Sequence, residues 1–431
     1  MPSEVAPKWM AEAELIYTLP EDVNFKDRIK ELGVEPPDIA THVGGAGKKE
    51  ITDRYHQIGA KVLPYISYSN RYFDEAQEDL GWNFRLGANP ELAIYNEKSV
   101  RERCLFADQK DGRRTEICPN THEMVQWAEK EVTAYMESGC DGLFLDHAFG
   151  PTKCYGEDLG VHRHIYHEED IAFFPEAYLR GAPGDPDAPN DDPLGTFAYA
   201  RLLQHVQKHV LDKFGPENCL ILNTTYWPFY YSSAPLRKCV MYAPKTPKIV
   251  PGILWEAGHS GMVESAVVVS ERGISPLSND RKPIRWGSFE LWHRISKVPK
   301  KYRDVGKRQV CLPYAAPGDQ DDYRDDYFYV YAIGKLHDLI WMLGPTGPGS
   351  EFCKFKMGRP LEDEYGFQDG IYYRTFQGGA VAVNPDLVER KTGLEVPVQK
   401  VTDLFRRQEV SCGKKILDVT IPAESGRVYR W

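Results

Sequence analysis

The 431-residue sequence contains no apolar run of the roughly 18 residues that a membrane-spanning helix needs. Its first residues also lack the basic segment followed by a long apolar stretch that marks a secretory signal. We therefore expect a soluble chain that does not engage a membrane.

Clusters of basic residues are also missing. The formal net charge is −10, and Lys and Arg form no patch of the kind that releases counterions from phosphates. This balance excludes nucleic acid as an expected partner. Hydrophobic residues make up 42% and charged residues 27% of the chain, which is typical of a folded globular protein rather than a disordered one.

Cofactor and disulfide motifs are absent as well. Residues 44–49 (GGAGKK) lack the spacing and the hydroxyl of a phosphate-binding loop, and no Gly-rich dinucleotide turn occurs. The sequence therefore predicts no cofactor. The nine cysteines are odd in number and form no Cys-x-x-Cys pair, so we expect mostly reduced, buried thiols and, from these, a cytoplasmic setting. They are Cys104, Cys118, Cys140, Cys154, Cys219, Cys239, Cys311, Cys353 and Cys412.

What the sequence does contain is an alternation of strand and helix patterns. The predicted strands are residues 13–19, 38–43, 61–67, 139–147, 219–223, 249–256, 309–314 and 341–344. The predicted helices are residues 25–32, 48–58, 121–138, 194–214 and 327–340. Eight strands with helices between them predict an α/β protein with a (β/α)8 TIM barrel. A doubly wound open sheet is the alternative, but no dinucleotide turn favours it.

The pattern changes after Gly344. A Gly- and Pro-rich stretch precedes short alternating strands at residues 370–376, 380–384, 415–421 and 426–431. Such strands between turn residues are typical of a small antiparallel β-sandwich. We therefore predict a barrel domain over residues 1–350 and a sandwich domain over residues 351–431.

One carboxylate ends the fourth predicted strand. Leu143, Phe144 and Leu145 form an apolar run, and Asp146 follows them directly. Buried parallel strands read as continuous apolar runs, and barrel enzymes place their catalytic groups at the carboxyl ends of strands. Asp146 is therefore a candidate catalytic acid. The alternative is an Asp that caps the next helix.

The segment around this strand resembles one in barrel glycoside hydrolases, including the α-L-fucosidase-like and α-galactosidase-like groups. The similar residues are Cys118-Pro119-Asn120, the helix that follows, and the run from Asp141 to Asp146. The segment GAVAVNP at residues 379–385 is similar to the sandwich that often follows those barrels.

The resemblance implies roles for two carboxylates. In such enzymes the acid ending the fourth strand is usually the nucleophile, which matches Asp146, and the resemblance implies retention of the anomeric configuration. Inversion is the alternative, because the separation of the two carboxylates decides between them. The proton donor usually comes from a later strand, for which Glu256 is the best match, with Glu264 and Asp319 as further candidates. Glycoside hydrolysis needs such a pair, one to protonate the leaving oxygen and one to attack or stabilise the anomeric centre. We therefore predict a glycosidase that acts on a carbohydrate substrate.

Polar and aromatic residues at the other predicted strand ends suit a sugar-binding site, although each of them also fits a packing or capping role. These candidates are His42, Tyr65, His147, Asn223, Trp255 and Tyr314. Asn120 joins them through the resemblance, and its alternative role is to cap the helix predicted from residue 121.

Three histidines lie in the loop after Asp146. His162, His164 and His167 offer imidazole ligands, but their spacing matches no specific metal motif, so we predict no metal and interpret the loop as a substrate contact or a solvated segment. Two alternatives to a glycosidase stay open. One is a carbohydrate-binding barrel without hydrolytic activity, and the other is a metal-dependent barrel enzyme that uses this loop.

Overall fold

The computed structural model describes residues 6–18, 25–41, 43, 47–68, 70–72, 90–95, 114–146, 154–165, 193–223, 260–268, 300, 303–304, 306–314, 324–347 and 349–431. The chain divides into two compact units. The first comprises Met1–Pro7, Thr41–Gln57 and Lys61–Met262, and the second comprises Lys8–Ala40, Ile58–Ala60 and Val263–Trp431. Among the described residues, no helix is both long and apolar enough to cross a membrane.

The first unit contains parallel strands and the helices between them. Its helices are Lys49–His56, His122–Glu137 and Pro193–Phe214, with a 3-10 turn at Pro90–Leu92. Its strands are Lys61–Val62, Tyr65–Ser67, Asn70–Tyr72, Arg114–Glu116, Gly142–Asp146 and Cys219–Asn223, and it includes the start of Ser260–Val268. Asn70–Tyr72 and Arg114–Glu116 form a separate antiparallel pair.

Gly142–Asp146 is the central strand of this parallel sheet. It pairs with Tyr65–Ser67 on one side and with Cys219–Asn223 on the other, and the latter pairs with the start of Ser260–Val268. All five residues of the central strand are buried. Gly142 has a φ of 146°, and a Cβ there would lie 1.9 Å from the carbonyl oxygen of Cys219. Only glycine fits where these two backbones approach so closely.

Asp141 anchors the amino end of the central strand. Its carboxylate accepts hydrogen bonds from the backbone N–H of Val62 at 2.9 Å, from Lys61 Nζ at 2.8 Å and from His56 Nε2 at 2.7 Å. Groups at the amino edge of a parallel sheet generally serve stability. Asp141 therefore links the start of the central strand to Lys61–Val62, at the opposite end of the strand from Asp146.

The second unit contains a parallel group of strands, two helices of eight or more residues, and an antiparallel region. Leu15–Thr18, Ile340–Met342 and Arg308–Tyr314 pair in parallel in that order. The unit also has the helices Lys8–Glu12, Phe25–Leu32 and Arg324–Leu336, most of the strand Ile39–Thr41, and the 3-10 turn Ser350–Lys354.

The antiparallel region of this unit has two sheets around a shared apolar core. The six-stranded sheet runs Gly366–Gln368, Ile371–Phe376, Gly379–Asn384, Ser425–Arg430, Lys400–Asp403 and Gln408–Ser411. The two-stranded sheet pairs Arg390–Glu395 with Ile416–Ile421. Ile371 and Tyr429 of the larger sheet share one core with Leu394 and Leu417 of the smaller. This arrangement is consistent with the predicted β-sandwich.

The described elements follow the predicted alternation with local differences. The predicted strand at residues 61–67 is two short strands, because Pro64 between them has no N–H to donate. The helix predicted at residues 327–340 begins at Arg324 and ends at Leu336, before Asp338 turns the chain with a φ of 55°. The strand predicted at residues 249–256 lies outside the described residues, whereas Ser260–Val268 is a strand that was not predicted.

The α/β class is thus confirmed as parallel sheets with helices plus an antiparallel sheet. The division at about residue 350 stays a prediction.

Candidate active site

Asp146 lies at the carboxyl end of the central parallel strand of the first unit. Its Cα partner on the neighbouring strand is Ser67, which is also the last residue of its strand. Asp146 is buried, with only 6% of its surface exposed. A buried carboxylate needs hydrogen-bond donors around it, because burial without them costs several kcal/mol or more.

Tyr65 supplies such a donor. Its hydroxyl donates a hydrogen bond to Asp146 Oδ2. The Tyr65 ring lies nearly parallel to that of Phe144, with ring centroids 6.1 Å apart and an interplanar angle of 18°. Tyr65 and Phe144 are also Cα partners in the sheet register, so the strand pairing itself sets the position of the ring. The contact joins two of the residues predicted from the sequence and orients the carboxylate.

The sheet register aligns further strand ends with Asp146. Leu145 pairs with Leu222, which makes Asn223 the next residue along the neighbouring strand, and Asn223 pairs with Met262. Asn223 is therefore a strand-end residue, as predicted. Tyr314 likewise ends its strand, within the second unit.

Asn120 precedes the helix that leads to the central strand. The alternative role, capping this helix, is filled by Thr121, whose hydroxyl accepts a hydrogen bond from the N–H of Met124 at 3.1 Å. Asn120 is 4% exposed, and its side-chain Nδ2 has no hydrogen-bond partner among the described residues. Buried polar groups are nearly always paired, so this amide is suited to a ligand or an ordered water.

Several predicted site residues fall outside the described residues. These are His42, His147, His167, Trp255, Glu256 and Asp319. Glu264 lies within the strand Ser260–Val268, two residues beyond Met262 along the chain. The structure therefore brings Asp146 and Tyr65 together, and the roles of all these candidates stay predictions.

A second group of chemically active side chains lies in the first unit. His162 and His164, noted in the sequence, meet Cys118 and Cys154, which sequence reasoning did not link to them. One ligand atom from each of the four residues lies within 4.8 Å of the others. The sequence feature that could have indicated this group is the occurrence of Cys154, His162 and His164 within one short segment. The seven described cysteines form no disulfide, and Cys154 is the one among them that is not buried.

The surroundings of this group favour a thiolate. A hydrogen bond from Cys118 contributes most to lowering the pKa of the Cys154 thiol, burial opposes it, and hydrogen bonds from His162 and His164 add to it. For His162, burial acts to lower the pKa, but the hydrogen bond to Cys154 and its charge outweigh that effect and raise it.

Comparison with known proteins shows likeness in fold alone. No family model matches the chain, and no curated protein is similar in sequence. Among solved structures, Amy13B from Eubacterium rectale matches with a TM-score of 0.50 and 10% identity, over 100% of this chain and 97% of that one.

Two further solved structures are named as glycoside hydrolases. A GH27 β-L-arabinopyranosidase from Geobacillus stearothermophilus matches with a TM-score of 0.49 and 9% identity, over 98% of this chain and 97% of its own. The glycoside hydrolase domain of PelA from Pseudomonas aeruginosa matches with a TM-score of 0.41 and 12% identity, over 80% of this chain and 98% of its own. All three likenesses are of fold, at identities of 9–12%.

Proposed function

We propose that this protein is a glycoside hydrolase with a (β/α)8 barrel, in which Asp146 is the nucleophile and Glu256 the acid/base. The observation that carries the proposal is the Tyr65 hydroxyl bonded to the buried Asp146 carboxylate at the carboxyl end of two parallel strands. Barrel enzymes hold their reacting groups at this edge. The proposed reaction is retaining, so Asp146 forms a glycosyl-enzyme intermediate that water then hydrolyses.

Two of the residues predicted to bind substrate suit a sugar. Asn120 carries a buried amide nitrogen without a partner among the described residues, and a sugar hydroxyl is a suitable acceptor. Asn223 ends the adjacent strand at the level of Asp146. Amide groups in a ligand site are suited to fixing the orientation of hydroxylated rings.

Trapping of the intermediate tests the proposal directly. A panel of aryl glycosides first identifies a substrate by release of the aryl alcohol. The matching 2-deoxy-2-fluoro glycoside with an activated leaving group is then incubated with the protein, and the labelled peptide is mapped by mass spectrometry. We expect the label on Asp146. A label on another carboxylate overturns the assignment, and binding of sugars without any turnover identifies a carbohydrate-binding protein instead.

Tyr65→Phe tests the contact that orients the nucleophile. The variant keeps the ring beside Phe144 and removes only the donor to Asp146. Hydrogen bonds to charged groups are worth about 1.5–3 kcal/mol, so kcat should fall roughly 10- to 160-fold. Tyr135→Phe, on the helix His122–Glu137, is the control and should keep wild-type kcat. Equal kcat in Tyr65→Phe and the control would exclude a role for the Tyr65 hydroxyl.

The acid/base residue can be identified from how strongly the rate of its variant depends on the leaving group of the substrate. Loss of the proton donor slows substrates with poor leaving groups far more than activated aryl glycosides, which leave without protonation. We expect this pattern in Glu256→Gln and not in Glu264→Gln, with kcat/KM compared for both kinds of substrate. The reverse result would transfer the role to Glu264, the carboxylate in the strand Ser260–Val268.

A further inference from the structure

We propose that Cys118, Cys154, His162 and His164 bind a structural zinc ion. Cys118 follows the strand Arg114–Glu116, and the other three residues lie in the segment 154–165, after the central strand. Cys118 and His162 are 2% and 8% exposed. Two thiols and two imidazoles form one of the common tetrahedral ligand sets for structural zinc. This inference does not depend on the proposed hydrolase activity.

The distances within this group are close to those of a zinc tetrahedron. With Zn–S of about 2.3 Å and Zn–N of about 2.0–2.1 Å, tetrahedral ligands lie roughly 3.3–3.8 Å from one another. His162 Nε2 is 3.3 Å from Cys154 Sγ and 3.1 Å from His164 Nε2. The full set of four atoms lies within 4.8 Å. Small side-chain shifts suffice to close it around one ion.

The partners of these ligands also match those of a metal site. The second nitrogen of His162, Nδ1, donates to the carbonyl oxygen of Glu91 at 2.6 Å, which leaves the lone pair of Nε2 to face the group. His164 Nδ1 lies 3.5 Å from the carboxylate of Glu157. Metal-binding histidines nearly always donate their other ring N–H to a carbonyl or carboxylate, which fixes the tautomer.

The backbone around Cys154 also favours metal binding by the thiol and the His162 ring. The N–H of Gly156 donates to Cys154 Sγ at 3.4 Å, which helps to stabilise a thiolate. A Cβ on Gly156 would lie 2.2 Å from Cε1 of His162. Glycine is therefore required at this position for the His162 ring to reach the thiols.

The ion would connect segments that have little regular structure of their own. Cys118 N–H donates to the carbonyl of Leu92, Tyr155 N–H to that of Tyr95, and Ile165 N–H to that of Asn120. Four protein ligands leave no open position, which indicates a structural role rather than a catalytic one. Thiolates and imidazoles together favour zinc over the hard cations, which prefer oxygen ligands.

Metal analysis of the full chain tests the proposal. The protein is purified without added metal or chelator, and its metals are counted by plasma mass spectrometry. We expect one zinc per chain. Metal-free protein is next titrated with Co²⁺, for which we expect thiolate charge-transfer and tetrahedral ligand-field bands. Protein that is folded without zinc and binds neither Co²⁺ nor Zn²⁺ overturns the proposal.

Variants locate the ion in the chain. Cys118→Ser and Cys154→Ser should each lose the zinc, whereas Cys412→Ser, a buried thiol in the antiparallel region, should retain it. Because loss of a structural metal can unfold its loop, the wild type is also treated with a mercurial reagent. Stoichiometric zinc release on modification of Cys118 and Cys154 supports the site. Retention of zinc in both serine variants overturns it.

Discussion

Asp146→Asn is expected to lower kcat by about 10³-fold or more on any substrate that the wild type hydrolyses. The amide keeps the size of the carboxylate and can accept the Tyr65 hydrogen bond, but it is a poor nucleophile and carries no charge to stabilise an oxocarbenium-like centre. The measurement is kcat for the best aryl glycoside, with the fold checked by circular dichroism and by the unfolding midpoint.

Asp141→Asn is the matched control for this substitution. It changes the same residue type in the same segment, at the end of the strand where the carboxylate bonds Lys61, His56 and the backbone of Val62. We expect it to lower stability while kcat stays near the wild-type value. Should Asp146→Asn retain kcat within tenfold of the wild type, Asp146 has no part in the chemistry.

Local sequence patterns predicted the helices and strands whose characteristic residue spacing lies within the element itself. Phe25–Leu32 and Cys219–Asn223 have the predicted bounds, because amphipathic spacing defines the first and a buried apolar run defines the second. In the antiparallel region, strands such as Arg390–Glu395 and Gln408–Ser411 were not predicted. Both are rich in charged and polar residues, and their strand conformation is set by pairing with partners distant in sequence.

The candidate site was predictable in part. Asp146 could be selected because it ends an apolar run, and Tyr65 because it lies near the end of the strand predicted at residues 61–67. Their contact depends on the register between Tyr65–Ser67 and Gly142–Asp146, which no local pattern specifies. The thiol and imidazole group was missed for a similar reason. Cys118 comes from a segment far from His162 in the chain, and Cys154 has no spacing motif that marks it as a ligand.

A buried carboxylate in the second unit illustrates an interaction that sequence could not indicate. Glu14 is 9% exposed and directly precedes the strand Leu15–Thr18. Its Oε2 accepts hydrogen bonds from Lys335 Nζ at 3.1 Å and from the N–H of Met357 at 2.9 Å, and Oε1 accepts from the N–H of Gly358 at 2.9 Å. One carboxylate thus balances the charge of a buried ammonium and accepts hydrogen bonds from two backbone N–H groups.

Glu14→Ala is therefore expected to lower the free energy of unfolding by about 3–5 kcal/mol, the usual cost of removing one partner from a buried ion pair. Lys335 is only 2% exposed and would remain as a buried charge without its carboxylate. The nearby rings of Tyr331 and Phe376, 5.8 and 5.9 Å from Nζ, compensate for little of that loss. The measurement is chemical denaturation, with the second unit followed by its own fluorescence or hydrogen exchange.

Glu12→Ala is the control for Glu14→Ala, because it also removes one carboxylate from an ion pair but at an exposed position. Glu12 lies two residues earlier and pairs with Arg359, but both side chains are largely exposed. Exposed pairs contribute about 0–1 kcal/mol, so this variant should differ little from the wild type. A double variant, Glu14→Leu with Lys335→Met, removes both charges and should recover part of the stability lost in Glu14→Ala. Equal losses in Glu12→Ala and Glu14→Ala would show that neither the burial of Glu14 nor its two backbone hydrogen bonds determine its contribution to stability.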